Sequence, residues 1–513
     1  MRLGLVSGLY TNKYVAVNTR NVINWMIHKD LMEGEESKYK KSLMAFPGLV
    51  SLVDTGGTVA RGIYVARTLT YNRCFAVVNQ TLYEIALDGT ATSRGTLTNL
   101  TGDDRVWMRV NGNNQMMIAG FAASYSYDLS TDTLSQITDG DFPGSVTYLD
   151  YSVGYMFICS GGRVWYSDLN STVNWTASSV FTPIASADNV MAAVIWKDDI
   201  YCFGSESIET YINDGTTPFV KQVKTTMPIG LVAVNSIQVT EHGIIFLGKT
   251  KTGQAKVYLY DGQSVEPLSP LSTSYAVNNP SVLSTMTETT WDADTGLWDD
   301  DNTPWEWIGS DAFNNSQIYA DLTYTKYGNA LYHLTIPQSH ATYVFDLITK
   351  EWVERQSLNP GTSSQTRYRG FQTVNFQGMN LVLDIFSGKV FYESYDVITE
   401  DSQVVTRTVV SGILHNEKKN VGIYEVEVDM TTGVGLQATP ATAANVSLYY
   451  SRDGGNTYSS AISLSTGASG SYYQRPRVGS LGTARDWVFK LVLTDKADLA
   501  INDILIHGQV NSF

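Results

Sequence analysis

Six histidines and three cysteines are the side chains in this chain that most often serve catalysis or metal binding. None of the histidines stands at zinc-ligand spacing from another histidine or a cysteine. The sequence contains neither a glycine loop of the Walker type nor a Gly-x-Ser-x-Gly nucleophile elbow. Asp292-x-Asp294-x-Gly296 begins like a calcium loop, but the third acidic ligand is missing. We therefore predict no metal, no cofactor and no enzymatic activity.

One motif with defined chemistry is Ser451-x-Asp453-x-Gly455-x-Thr457-Tyr458, which matches the Asp-box of sialidases and other β-propellers, with tyrosine replacing the usual tryptophan. It suits a hairpin turn in which the carboxylate accepts backbone N–H bonds and the glycine takes a positive φ. A glycosidase would need two carboxylates at a defined separation, and a sialidase also an arginine cluster. The box occurs once and the arginines are dispersed, so we interpret it as a structural turn. A propeller that binds or hydrolyses carbohydrate at the host surface remains the alternative function.

An aspartate-rich segment at about 288–316 holds four of the eleven tryptophans. Long loops on rigid scaffolds are often functional, and exposed tryptophan is costly unless a partner covers it. The segment is therefore either a tip that contacts a partner or a loop packed on its own blade. The tryptophans are Trp291, Trp298, Trp305 and Trp307.

The composition of the 513 residues places limits on function. The chain is 43% hydrophobic and 17% charged, which is too apolar for disorder. Its net charge of −15 argues against a tight nucleic-acid clamp, but not against a channel through which DNA slides. Cys74, Cys159 and Cys202 lie in strand-like runs and are expected to be buried free thiols of a cytosolic protein. We expect no signal peptide and no membrane span.

Short runs rich in Val, Ile, Tyr and Phe alternate with Gly, Asn and Asp turns, which indicates antiparallel β structure. A recurring unit ends a strand in an aromatic residue, followed by Asp, Asn or Glu and a turn. Most of these aromatic anchors are 39–49 residues apart, as the blades of a propeller require, and one gap of 85 holds the tryptophan segment. The anchors are Tyr83, Tyr127, Tyr166, Tyr211, Tyr260, Phe345 and Tyr392.

The predicted fold is mainly β, with a β-propeller of about seven blades over residues 58–408 and an insertion at about 288–316. An open stack of β-meanders, or two β-sandwiches, would also fit the spacing. Residues 1–57 are predicted to be an extended N-terminal segment and docking region. Two short helices are expected, near Asn21–Met32 and near Pro280–Thr287. Strict alternation in Tyr424–Met430 and a long apolar strand at Asp486–Leu493 predict a separate C-terminal β-sandwich over residues 409–513.

A series of short motifs occurs in a fixed order along most of the chain. Its members are Val22–Trp25, Ala45–Leu49, Ala60–Tyr64, Gln80–Tyr83, Asp199–Glu209, His333–Pro337, Tyr343–Asp346, Ser451–Gly455, Arg475–Gly482 and Arg485–Phe489. In this order the chain resembles the packaged-DNA stabilisation, or tail nozzle (tail hub), proteins of short-tailed bacteriophages. The segment at 290–315 departs from that pattern.

The resemblance implies a non-enzymatic structural protein of the virion tail, assembled in the host cytoplasm. It implies a homo-hexameric tube below the ring of the portal adaptor (the head-to-tail connector), which retains packaged DNA and gates its ejection. Further expected partners are a tail fibre or tailspike and a needle or plug, with DNA passing through the channel without sequence-specific binding. We expect assembly or tip contacts at Asn24, Trp25, Phe46 and Pro47 and at the four tryptophans of the insertion.

Overall fold

The computed structural model describes most of the chain and is almost entirely β. The helical elements that lie wholly within the described residues are two single turns of 3-10 helix, at Val234–Ser236 and Pro337–Ser339. The helix predicted near Pro280–Thr287 and the tryptophans of the insertion lie outside the described residues. The described residues are 3, 5–6, 8–9, 20–29, 41–100, 105–183, 188–212, 219–222, 226–269, 317–362, 364–417 and 419–510.

Four N-terminal strands precede the first blade in the sequence. The helix predicted near Asn21–Met32 is wrong, because residues 21–29 form two strands separated by Asn24. Val22, Ile23 and Ile27 are β-branched and favour extended backbone. The strands are β1 (Asn21–Ile23), β2 (Trp25–Lys29), β3 (Lys41–Ala45) and β4 (Gly48–Asp54).

The next five sheets are antiparallel and follow one another along the chain. Blade 1 contains β5 (Ala60–Arg67), β6 (Asn72–Val78), β7 (Thr81–Ile85) and β8 (Ala91–Thr96). Blade 2 contains β9 (Trp107–Val110), β10 (Gln115–Ala119), β11 (Ser124–Asp128) and β12 (Thr133–Gln136). Blade 3 contains β13 (Tyr148–Ser152), β14 (Tyr155–Ser160), β15 (Arg163–Ser167) and β16 (Trp175–Phe181). Blade 4 contains β17 (Val190–Trp196), β18 (Asp199–Gly204), β19 (Ile208–Ile212) and β20 (Val220–Lys221). Blade 5 contains β21 (Gly230–Leu231), β22 (Gln238–Val239), β23 (Ile244–Lys249), β24 (Lys256–Tyr260) and β25 (Val265–Pro267).

Two further blades complete the ring. Blade 6 contains β26 (Tyr319–Tyr324), β27 (Ala330–Ile336), β28 (Ala341–Asp346) and β29 (Glu351–Glu354). A small hairpin of β30 (Gln356–Leu358) and β31 (Gln365–Arg367) follows. Blade 7 contains β32 (Gly370–Phe376), β33 (Met379–Asp384) and β34 (Lys389–Ser394), and its sheet continues through β4 to β35 (Thr399–Glu400) and β36 (Gln403–Val404).

Neighbouring blades contact each other all the way round, and β32 of blade 7 contacts β5 of blade 1. The described residues therefore form a closed propeller of seven blades, which confirms the predicted fold class. The fourth strand of blade 7 is β4, which pairs antiparallel with β34. Residues 48–54 thus belong to a blade although the sequence analysis placed them in the N-terminal segment. The domain boundaries at residues 57 and 408 stay a prediction.

All seven aromatic anchors lie on the third strand in the sheet order of a blade (in blade 5 this order is β21-β23-β24-β25), which explains their spacing. Turns after these strands are held by aspartates whose carboxylates accept backbone N–H groups. Asp88 accepts from Thr90 and Asp261 from Gln263 and Ser264. The recurring aromatic-then-Asp unit is therefore a packed strand followed by a turn closed by its own side chain.

The C-terminal strands form a sandwich with β1, β2 and β3. One sheet has the order β2-β3-β44-β39-β42, and the other continues from β29 of blade 6 through β1-β37-β43-β40-β41, with β38 paired to β43. The buried side chains between the sheets include Trp487, Phe489 and Val426. The new strands are β37 (Arg407–Val410), β38 (Leu414–His415), β39 (Val421–Met430), β40 (Asn445–Ser451), β41 (Ile462–Ser465), β42 (Arg477–Ala484), β43 (Asp486–Leu493) and β44 (Ile501–Val510).

Candidate functional site at the junction of propeller and sandwich

The N-terminal residues predicted as contacts come together where the propeller meets the sandwich. Asn24, Trp25, Phe46 and Pro47 are all buried within the chain. Strand β1 pairs with β37 on one side and β29 on the other, so one backbone joins a blade to the sandwich. These residues therefore form an internal junction, and their role as contacts with other proteins stays a prediction. The four insertion tryptophans lie outside the described residues.

Asn24 connects three segments at this junction. Its backbone has φ 60°, a left-handed conformation that asparagine tolerates better than most residues. Its side-chain Nδ2 donates to the Thr406 carbonyl at 2.8 Å, and its Oδ1 accepts the Gln356 N–H at 2.7 Å. The turn between β1 and β2 is thus tied to both the propeller and the sandwich.

The segment from Phe46 to Gly48 packs tightly against blade 7. A Cβ atom added at Gly48 would lie 2.3 Å from the Val397 carbonyl oxygen and 2.6 Å from that of Thr399. Only glycine allows this approach, in which the Gly48 N–H donates to the Val397 carbonyl at 2.8 Å. The chain therefore passes from the sandwich into the blade through a fixed path.

Arg355, which follows β29, is the first of two guanidinium groups buried at the junction. Its guanidinium lies between the rings of Tyr368 and Phe46, with the central carbon 3.8 Å and 4.7 Å from the two ring centroids. Nη2 donates to the Pro47 carbonyl at 3.3 Å. Its carboxylate neighbours are Glu393 at 3.7 Å and Glu400 at 3.9 Å, which is beyond direct hydrogen-bond distance.

Arg407 is the second buried guanidinium at the junction. It lies 5.0 Å from the Trp25 ring centroid, and its Nη2 donates to the Ala497 carbonyl at 2.7 Å and the Asp495 carbonyl at 3.3 Å. Burial lowers the pKa of Arg407 to about 10, with Asp498 opposing that shift. Neither arginine was predicted from the sequence, and the one weak signal is that Arg407 lies between threonines and valines in the segment Val404–Val410.

The Asp-box forms a turn after β40, as predicted, and its Gly454 N–H also donates to the Asp486 carbonyl at 3.1 Å. The Asp453 carboxylate accepts the Thr457 N–H at 3.0 Å and the hydroxyl protons of Ser451 and Thr457 at 2.6 Å each. Gly454 and Gly455 both have positive φ. Burial alone would raise the pKa of Asp453, but these hydrogen bonds lower it to about 2. The carboxylate is therefore committed to holding the turn.

The cysteines, and one group of side chains that could bind a metal ion, also lie in surroundings that indicate a structural role. The three cysteines are buried free thiols, as predicted, and burial raises the pKa of Cys74 to about 12. Glu425, Glu427 and His507 lie close enough together to offer three ligands to a metal ion. However, Arg475 donates to Glu427 at 2.9 Å and Arg477 to Glu425 at 3.2 Å. Both carboxylates already have cationic partners, which favours a set of surface ion pairs over a metal site.

Charge is distributed unevenly between the two parts of the chain. Residues 406–509 contain nine Lys and Arg against nine Asp and Glu, so this segment is neutral at pH 7. The net charge of −15 is therefore carried by the rest of the chain, which includes the propeller. Among the residues that the model describes, no helix is long and apolar enough to cross a membrane.

Two family models match successive parts of the chain. The model described as Bacteriophage P22 Gp10, beta-propeller matches residues 1–289, and the model described as Bacteriophage P22 Gp10, beta-sandwich matches residues 406–509. Because the first match covers more than half of the chain, the protein belongs to this family of bacteriophage proteins. The resemblance to phage tail hub proteins is thereby confirmed.

The chain is also similar to one curated protein. The chain is 22% identical over 249 residues to the tail hub protein gp10 of Salmonella phage P22, a match that covers 45% of this chain and 49% of that protein. The chain thus matches about half the length of this relative.

Solved structures are similar to the chain at lower sequence identity than this relative. One is the extracellular domain of the putative one component system BT4673 from B. thetaiotaomicron, with a TM-score of 0.43, 9% identity, and coverage of 74% of this chain and 43% of that chain. Another is virginiamycin B lyase from Staphylococcus aureus, with a TM-score of 0.41, 9% identity, and coverage of 67% and 98%.

Proposed function

We propose that this protein is a structural hub of a short-tailed phage tail, forming a tube below the portal-adaptor ring that retains packaged DNA and gates its ejection. The observation that carries this proposal is the match of both Gp10 domains in order, on a chain whose two domains share strands. The strand sharing supports a rigid building unit suited to a load-bearing particle. The proposed assembly is a homo-hexamer that also meets a tail fibre or tailspike and a needle or plug.

The charge of the chain supports passage of DNA rather than its capture. The region outside the neutral sandwich carries the whole excess of 15 negative charges. A tube built from such copies repels phosphate at short range, which keeps DNA from adhering to the wall. The proposed site of action is the virion tail, after assembly in the host cytoplasm.

Electron microscopy of the purified full-length protein, alone and mixed with adaptor rings of the same phage, tests the proposal. We expect ring-shaped particles that dock coaxially on the adaptor, with six-fold symmetry in class averages. A chain that stays monomeric with adaptor present would overturn the proposal. Release of sugars from host-surface glycans by that monomer would instead support the carbohydrate alternative.

A further inference from the structure

A pocket opens at the junction of propeller and sandwich, and we call it the junction pocket. Its walls include Asn24, Phe46, Pro47, Arg355, Glu400 and Arg407. Arg355 belongs to the propeller side, whereas Arg407 belongs to β37 of the sandwich. The pocket therefore brings two buried guanidinium groups together from different domains.

Arg407 feels the negative charge of Asp498 but makes no direct ion pair with any described residue. Its side chain is 4% exposed, and among the described residues no carboxylate lies within 4 Å of it. Nη2 is satisfied by two carbonyl groups, but Nη1 is buried without a hydrogen-bond partner in the described part of the chain. Leaving a buried charge unpaired is strongly unfavourable, so this geometry calls for an acceptor that carries negative charge.

Arg355, on the other wall, has the carboxylates of Glu393 and Glu400 at 3.7 Å and 3.9 Å, but one of its N–H groups is also left without an acceptor. It is 2% exposed, and its Nε has no hydrogen-bond partner among the described residues. Trp25, beside Arg407, likewise has an unpartnered buried Nε1. Among the described residues that line the junction pocket, the buried acceptor without a partner is Oε2 of Glu400. The donors outnumber the acceptors that the described residues supply.

We propose that the junction pocket binds a small inorganic anion between Arg355 and Arg407, and that this anion helps to hold the sandwich against the propeller. The anion would accept hydrogen bonds from Nη1 of Arg407 and Nε of Arg355, and its charge would neutralise Arg407. This proposal does not depend on the proposed tail function. Glu400 faces the same space, so its negative charge weakens anion binding, and its removal should strengthen it.

Thermal unfolding of the full-length protein tests the site. Chloride and phosphate are titrated separately at constant ionic strength, with sodium gluconate as the balancing salt because its anion is large. We expect one or both small anions to raise the unfolding midpoint in a saturable manner. Arg407→Gln should abolish this response, and Glu400→Gln should lower the half-saturating concentration by about tenfold. The exposed Arg475→Gln serves as the matched control and should respond like the wild type.

A response that is equal in the wild type and in Arg407→Gln would overturn the proposal, as would the absence of any response. If Arg407→Gln does not fold, crystals of the wild type soaked in bromide give a direct readout. An anomalous peak within contact distance of Arg355 and Arg407 supports the site, and ordinary water at that position refutes it.

Discussion

At the scale of single residues, an ion-pair cluster joins two neighbouring blades. Arg73 and Arg94 of blade 1 both lie 2.6 Å from Oε2 of Glu84. The same arginines reach Asp132 in a turn of blade 2, at 2.7 Å and 3.2 Å. Burial opposes the charge on Glu84, but hydrogen bonds from the two guanidinium groups prevail and hold its pKa below the ordinary value.

Replacing Glu84 by Gln should therefore lower stability in a pH-dependent manner. A carboxylate with a lowered folded-state pKa stabilises the protein above its unfolded pKa of about 4.3, and this contribution is lost as the pH falls through the folded pKa. We expect Glu84→Gln to cost about 1–2 kcal/mol at neutral pH and progressively less below about pH 4. Urea unfolding at several pH values measures the difference.

Glu206→Gln is the matched control, because Glu206 pairs with Lys251 at 3.3 Å in a largely exposed position. It should change stability little at any pH. Equal losses in the two variants, or a Glu84→Gln loss that does not shrink in acid, would contradict the prediction.

At the scale of elements, the ring is closed by a strand from the other end of the propeller sequence. Strand β4 pairs with β34 in a register that places Val53 opposite Val390. Leu49 on this strand is 1% exposed and packs in a cluster with Tyr368, Val382 and Phe391. The closure therefore depends on side-chain packing as well as on backbone hydrogen bonds.

Leu49→Ala should loosen this closure by leaving a cavity behind β4. We expect a loss of about 2–4 kcal/mol in the free energy of unfolding, together with faster proteolysis near residue 55. Leu69→Ala removes the same atoms from a fully exposed leucine and should cost less than about 0.5 kcal/mol. Unfolding in urea and timed proteolysis provide the two measurements, and similar stability losses in both variants would refute the role of β4.

The elements could be predicted from sequence where their pattern is local. Tyr127 and Tyr260 indicated the third strand in the sheet order of their blades, because each blade repeats a short strand that ends in an aromatic residue and is followed by a turn. The pairing of β4 with β34 could not be read in this way, since about 340 residues separate Gly48 from Lys389. The same limitation explains the wrong helix at Asn21–Met32, whose residues become strands through partners such as Val409 and Ala45.

The candidate site was only partly predictable for the same physical reason. The sequence pointed to Asn24, Trp25, Phe46 and Pro47, which the fold does bring together. It did not reveal that Arg355 and Arg407 meet them, because these arginines arrive from separate segments. Burial of a charge depends on tertiary packing that no local pattern records.

At the scale of the whole molecule, charge is concentrated away from the sandwich. We expect the full-length protein to leave a short DNA duplex unretarded in a gel-shift assay at about 0.1 M salt, because it offers no excess of positive charge. A basic DNA-binding protein run in parallel confirms that the assay can detect binding. A clear shift that weakens steeply with added salt would contradict the predicted passive channel.

The interlaced N-terminal strands have a consequence for biosynthesis. Strand β4 leaves the ribosome early but pairs with β34, and β3 pairs with β44 near residue 501. Neither strand can find its partner until several hundred further residues have been translated. Since such distant pairing is slow and leaves strand edges exposed in the meantime, the nascent chain must stay unaggregated. The last blade can be completed only after β34 has been translated, and the sandwich only after β44 has, when nearly all of the chain has emerged.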